Sequence, residues 1–66
     1  MMELSYRTSL HANINLLLPE YYYSAEASER VGKMLSTITE GQARYLYRLC
    51  LQKKRIELKL FIVAHI

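Results

Sequence analysis

The sequence predicts a small α+β domain in which an N-terminal strand or β-hairpin and a C-terminal strand flank a two-helix corner resembling a helix-turn-helix. Near both ends of the chain apolar and polar residues alternate, whereas the middle repeats its apolar residues at helical spacing. Only three residues, 37–39, join the two helical stretches. We predict one domain over 1–66, with strand or hairpin at 1–18, helix at 24–38, helix at 39–54 and strand at 55–66.

The N-terminal alternation is nearly unbroken. From Met2 to Leu18 every even position except Thr8 is apolar, and every odd position up to Asn15 is polar. A single strand of this length would extend about 55 Å, whereas a compact domain of this size has a radius of gyration of about 11 Å. The strand is therefore expected either to fold back as a hairpin with a loop at 9–13 or to pair with another chain.

A helix over Leu10–Leu18 is the alternative for this segment, with Ser9 as its N-cap. Asn13 and Asn15 are poor helix formers, so we favour strands. Four apolar residues nevertheless also match helical spacing: Leu10, Ile14, Leu17 and Leu18.

The first predicted helix begins after Ser24, a favourable N-cap, and Glu26 supports the positive end of its dipole. Its apolar residues recur at intervals of three and four. They are Ala27, Val31, Met34, Leu35 and Ile38. The short join to the next helix predicts an angled corner.

The second predicted helix has the strongest local signals. Thr39 and Gln42 have the spacing of a capping box, in which each side chain bonds the other residue's backbone N–H. Its apolar arc contains Ala43, Leu46, Tyr47 and Cys50. Arginines occupy the opposite side, so the pattern predicts an amphipathic helix with a cationic outer face.

The C-terminal segment places apolar residues on even positions from Ile56 to Ile66 and charged ones at Arg55, Glu57 and Lys59. The enrichment in isoleucine, valine and phenylalanine favours a strand. Since no glycine or proline separates this segment from the second helix, a helix continuing to the C-terminus is the alternative.

A chain of 66 residues with one cysteine cannot supplement its small core with an internal disulfide. We therefore expect a homo-oligomer, in the simplest case a homodimer that completes the sheet. The lone cysteine suits a reducing compartment, and no secretion signal or bilayer-spanning run is evident, so a cytoplasmic location is expected.

The net charge of +3 is unevenly distributed. Glutamates outnumber basic residues in the first half, whereas the second half, from Lys33, carries seven basic residues and only Glu40 and Glu57 as acids. A basic half of this kind favours an anionic partner.

The arginine side of the second helix is the best candidate site. Arginines one helical turn apart can reach successive phosphates or base edges. The commoner use of such a face is simply solvation. The predicted nucleic-acid contacts are Gln42, Arg44, Tyr45, Arg48, Gln52, Lys53, Lys54 and Arg55.

These features predict a small nucleic-acid-binding regulator of transcription or replication, acting as a homodimer. The alternative is a protein-interaction module, an inhibitor or adaptor, that docks on a larger acidic partner through a strand edge or the tyrosine cluster 21–23. Attachment to a membrane surface through the basic, apolar C-terminal end is the least favoured of the three.

No catalytic function is predicted. His11 and His65 are too few and too far apart in sequence to suggest a metal site with Cys50. The chain has no glycine-rich phosphate loop and no nucleophile elbow. We therefore expect neither a cofactor nor a metal.

Overall fold

The computed structural model describes residues 6–66, which form four α-helices and one short 3-10 helix. The bounds are Tyr6–Leu17 for α1, Pro19–Tyr22 for the 3-10 helix, Ala25–Thr37 for α2, Glu40–Leu51 for α3 and Arg55–His65 for α4. These residues contain no strand. The predicted α+β fold, with a sheet completed by dimerisation, is therefore wrong.

The strand or hairpin predicted over 1–18 is replaced by α1, although residues 1–5 of that prediction lie outside the described residues. Leu10 and Ile14 are fully buried, as either pattern requires. Leu16 decides between the two, because a strand would bury it with the other even positions, and it is 81% exposed. The helix directs Leu10 and Ile14 into the core and leaves Leu16 in solvent, which a strand could not do.

Asn13 is accommodated in α1 by its own side chain. The side-chain amide donates a hydrogen bond of 2.8 Å to the carbonyl of Ser9, one turn earlier. Pro19 then ends the helix, because the residue before a proline is disfavoured in helical geometry. Leu18, at that position, has φ −132° and ψ 65°.

The C-terminal strand predicted over 55–66 is likewise wrong, since Arg55–His65 is helical. Leu58 and Ile62, one turn apart, are fully buried, whereas Ile56 and Leu60 are exposed although they share the same parity. A strand would have placed all four on one face. Packing of Leu58 and Ile62 into the core therefore overrides the strand preference of the β-branched residues.

The two central helices form where the sequence predicts them. The N–H of Ala27 donates to the Ser24 side chain at 3.1 Å, which confirms the N-cap of α2. At α3 both halves of the capping box are present: Gln42 N–H to Thr39 Oγ1 at 3.1 Å, and Thr39 N–H to Gln42 Oε1 at 2.9 Å. Local sequence thus fixes the start of each helix.

Helix α3 ends in a turn that was not predicted from the sequence. Lys53 adopts a left-handed conformation, with φ 55°. Its N–H bonds the carbonyl of Cys50 at 3.1 Å, and the N–H of Lys54 bonds the carbonyl of Leu49 at 2.9 Å. These two bonds form a Schellman motif, which usually has glycine at the left-handed position. The continuous helix considered for the C-terminal half is therefore interrupted at 52–54.

All four helices contribute to one core, with α1 packed most extensively against α3. Helices α2 and α3 share little direct packing, and each contacts α1 instead. Arg7 of α1 links α2 and α3. Its guanidinium donates to the carbonyl of Leu35 in α2 and lies 3.7 Å from the carboxylate of Glu40 in α3. Contacts with α1 therefore stabilise the angle between α2 and α3.

Candidate nucleic-acid interface

The outer face of α3 is set by the burial of its inner face. Ala43, Leu46, Leu49 and Cys50 are buried in the core. The opposite arc must therefore point outward, and Arg44 and Arg48 lie on it, both exposed. Four residues of helix advance by about 6 Å, so the two guanidinium groups are carried one turn apart on the same side.

Charge pairing separates the arginines of the described chain into two groups. Arg7, Arg30 and Arg55 each have a carboxylate partner, at 3.7 Å, 3.4 Å and 2.9 Å respectively. Arg44 and Arg48 have no carboxylate of residues 6–66 within ion-pair distance. The positive charge of these two side chains therefore remains available to an external anion.

Arg44 has one aromatic neighbour. The carbon at the centre of its guanidinium group lies 6.0 Å from the centroid of the Tyr6 ring, at the outer limit of a cation–π contact. Tyr6 in turn packs against Tyr47, with ring centroids 5.2 Å apart. The tyrosine pair thus limits the directions open to the Arg44 side chain without neutralising its charge.

Arg55, predicted as a nucleic-acid contact, is instead engaged in contacts within the fold. Its Nε donates to the carbonyl of Leu17 at 2.9 Å, and its Nη2 lies 2.9 Å from a carboxylate oxygen of Glu20. Both partners belong to the end of α1 and the 3-10 helix. Arg55 therefore holds the start of α4 against that region rather than facing an external ligand.

The other predicted site residues have mixed surroundings. Gln42 has its side-chain oxygen engaged by the capping box. Tyr45 is 45% exposed, and its ring centroid lies 6.1 Å from that of Phe61 in α4. Gln52, Lys53 and Lys54 are exposed at the C-terminal end of α3. The structure thus leaves Arg44 and Arg48 as the centre of the candidate interface, with Lys53 and Lys54 at its end.

The tyrosine cluster 21–23 offers little free surface. Tyr21 and Tyr22 are half-buried and pack against the core, and only Tyr23 is largely exposed. The hydroxyl of Tyr22 hydrogen-bonds Nδ1 of His11 at 3.1 Å. Burial, with a smaller contribution from the nearby Cys50, raises the pKa of Tyr22 to about 12.

Cys50 is buried among core residues, and burial raises the pKa of its thiol to about 11. A thiol in this state carries almost no thiolate at neutral pH, so it is a poor nucleophile and a poor metal ligand. Within the described chain, no three side chains from His, Cys, Asp and Glu are grouped closely enough to hold a metal ion.

Helix α4 has an exposed apolar face that the strand predicted at 55–66 does not include. Helix α4 exposes Ile56, Leu60 and Val63 on the side away from the core. Their spacing of four and then three residues could have indicated a second apolar face had a helix been assigned to this segment. No helix in the described part of the chain is both long and apolar enough to cross a membrane.

Comparison with protein-family models, with curated proteins and with solved structures finds no match to this chain.

Proposed function

We propose that this chain binds nucleic acid through the outer face of α3, with Arg44 and Arg48 as the central contacts. One observation carries the proposal: these two exposed arginines lack carboxylate partners among residues 6–66, whereas the other three arginines of this region are paired. An unpaired arginine presents its planar fork of donors to a phosphate or a guanine edge without first breaking an ion pair.

The charge of the surroundings supports the same partner. Lys53 and Lys54 follow at the C-terminal end of α3, and α3 itself contains only one acid, Glu40, which lies beside Arg7. Phosphate contacts made by such a surface supply affinity with little sequence selectivity. Gln52 and Tyr45 are the uncharged side chains on the exposed arc that could add base contacts.

A role as a small regulator of transcription or replication extends the proposal by analogy from size and charge. The shortness of the chain led us to expect that two copies pair by completing a sheet. Residues 6–66 form no sheet, so the predicted mode of pairing is not available to them. The contact proposed here needs only one copy, since a single α3 carries both arginines.

The rival role as a protein-interaction module has less support at its predicted surfaces. Residues 6–66 provide no strand edge, and of the tyrosine cluster only Tyr23 is largely exposed. The outer face of α3 therefore remains the better candidate.

A pair of matched double variants tests the proposal. Arg44→Ala with Arg48→Ala removes two charges from α3, and Arg30→Ala with Lys33→Ala removes two charges from α2. Binding to a fluorescein-labelled DNA duplex of mixed sequence is followed by anisotropy at several salt concentrations. We expect the α3 variant to lose about tenfold or more in affinity and about two units of salt slope, since each phosphate contact contributes about 0.9.

The α2 variant should bind within about twofold of the unmodified chain, because its charges belong to a different helix and Arg30 is already paired with Glu26. Thermal unfolding of both variants checks that each is folded. Equal losses in the two variants would mean that net charge alone governs binding, and unchanged affinity in the α3 variant would refute the proposal.

A further inference from the structure

Helix α4 has two apolar faces, and only one is covered. Leu58 and Ile62 point into the core and are fully buried. On the opposite side Ile56, Leu60 and Val63 are 70%, 65% and 59% exposed. At about 100° per residue these three side chains fall within an arc of about 60°. We call them the outer stripe.

The border of the outer stripe is cationic. Lys53 and Lys54 precede it, and Lys59 lies beside Leu60 within the helix, all three exposed. None of these lysines has a carboxylate of residues 6–66 within ion-pair distance. Glu57, the only acid in α4, is exposed on the other edge of the stripe and is outnumbered by these three lysines. The occupant of the stripe must therefore be apolar in its centre and anionic at its edge.

A second copy of this chain fits these requirements poorly. Helix α4 has 11 residues, which makes it about 16 Å long and about 10 Å wide. Its outer face is therefore far smaller than the about 800 Å² that each partner contributes to a stable interface. Antiparallel two-fold pairing of the stripes would also bring Lys59 of one copy towards the same residue of the other.

We infer that the outer stripe of α4 rests on the surface of an anionic phospholipid bilayer. The three aliphatic side chains would enter the boundary between headgroups and acyl chains, with α4 parallel to the surface. The lysine stems would lie along the apolar boundary while their ammonium groups reach lipid phosphates. A bilayer is fluid and covers a convex helix without a preformed groove, so it can contact the small outer face of α4 without a complementary surface.

This inference goes beyond the nucleic-acid proposal, because its apolar contacts come from α4 rather than from the arginines of α3, although Lys53 and Lys54 border both surfaces. From the sequence alone, attachment to a membrane surface was the least favoured of three predicted functions. As a strand, residues 55–66 would have placed their even positions in a sheet, whereas as a helix they leave a continuous apolar stripe outside the core. The change from strand to helix is what makes a surface attachment chemically reasonable.

Flotation of the full chain with vesicles tests the inference. We expect association with equimolar phosphatidylcholine and phosphatidylglycerol, and much weaker association with phosphatidylcholine alone. Leu60→Gln should reduce the partition coefficient by about fivefold, since it removes a largely exposed apolar side chain from the stripe. Leu16→Gln is the matched control, because Leu16 is 81% exposed on α1 and should have no effect.

Lys59→Gln should also reduce partitioning by about fivefold. Leu60 and Leu16 are both exposed, so neither Leu60→Gln nor Leu16→Gln is expected to unfold the chain. Absence of flotation with the anionic vesicles, or equal effects of Leu60→Gln and Leu16→Gln, would overturn the inference. Sedimentation showing a dimer that Leu60→Gln dissociates would assign the stripe to a second copy instead.

The two proposals fail independently. Leu60→Gln should bind the labelled DNA duplex as the unmodified chain does, and the Arg44→Ala, Arg48→Ala double variant should lose far more duplex affinity than vesicle affinity. Loss of both activities in both variants would mean that the two surfaces are not separate, which would overturn the assignment of the bilayer contact to α4.

Discussion

Arg55 and Glu20 form the shortest ion pair recorded among residues 6–66, with 2.9 Å between the guanidinium Nη2 and a carboxylate oxygen. The two residues are 35 positions apart in sequence, and the pair connects the start of α4 to the 3-10 helix. Because the same guanidinium also donates to the carbonyl of Leu17, Arg55 contributes to the fold. Arg44 and Arg48, in contrast, contribute charge to the surface.

This division predicts unequal effects on stability for two alanine substitutions. Arg55→Ala should lower the free energy of unfolding by about 1 kcal/mol, because it removes a half-exposed ion pair and one hydrogen bond. Arg44→Ala should change stability by less than about 0.5 kcal/mol, as is usual for exposed side chains. Urea unfolding followed by circular dichroism measures both.

Duplex binding provides the complementary measurement. Arg44→Ala should weaken it several-fold at low salt, whereas Arg55→Ala should weaken it much less, since the Arg55 guanidinium is directed to Glu20 and the Leu17 carbonyl rather than to an external ligand. A reversed order of the two variants in both assays would show that the arginines have been assigned the wrong roles.

The inner and outer faces of α4 give a second prediction. Leu58→Ala should destabilise the chain by about 3 kcal/mol, because it opens a cavity at a fully buried position. Leu60→Ala should change the free energy of unfolding by less than about 0.5 kcal/mol, since Leu60 is 65% exposed. Equal losses would contradict the helical assignment, because a strand would bury both residues on one face.

The outcome at the N-terminal segment shows why its secondary structure could not be read from the sequence. Leu10, Ile14 and Leu18 occupy even positions and are also four residues apart, so they satisfy the strand and the helix patterns together. The residue that separates the two patterns is Leu16, and its exposure depends on how α1 packs against α3. That packing involves residues distant in sequence, which local periodicity does not report.

The candidate site was predictable to the extent that it depends on local structure. The capping box of Thr39 and Gln42 and the helical period placed Arg44 and Arg48 on one exposed face. The pairing of Arg55 with Glu20 depends on the tertiary fold and could not be inferred from spacing. The break at Lys53 was also hidden, because left-handed turns are normally marked by glycine or asparagine.

The left-handed turn predicts that a substitution can stabilise the chain. Lys53→Gly should raise the free energy of unfolding by about 1 kcal/mol, because glycine adopts φ 55° without the steric penalty of a side chain. Thermal or urea unfolding measures the gain. Lys59→Gly is the control, since glycine within α4 should lower stability by about 1 kcal/mol.

The raised pKa values of Cys50 and Tyr22 predict a loss of stability in alkaline solution. An acid with a higher pKa in the folded chain keeps its proton longer when folded, so stability is complete below the unfolded pKa and declines above it. For Cys50 the decline should run from about pH 9 to about pH 11 and amount to about 2 kcal/mol. For Tyr22 it should begin near pH 10 and continue to about pH 12.

Urea unfolding at successive pH values between 9 and 11 measures the Cys50 contribution. Cys50→Ala should be less stable at neutral pH, because it leaves a small cavity, but its stability should fall less steeply over this interval. Tyr22→Phe should remove the part of the decline that begins near pH 10. If Cys50→Ala loses stability with pH as steeply as the unmodified chain, the thiol is not the group that titrates on unfolding.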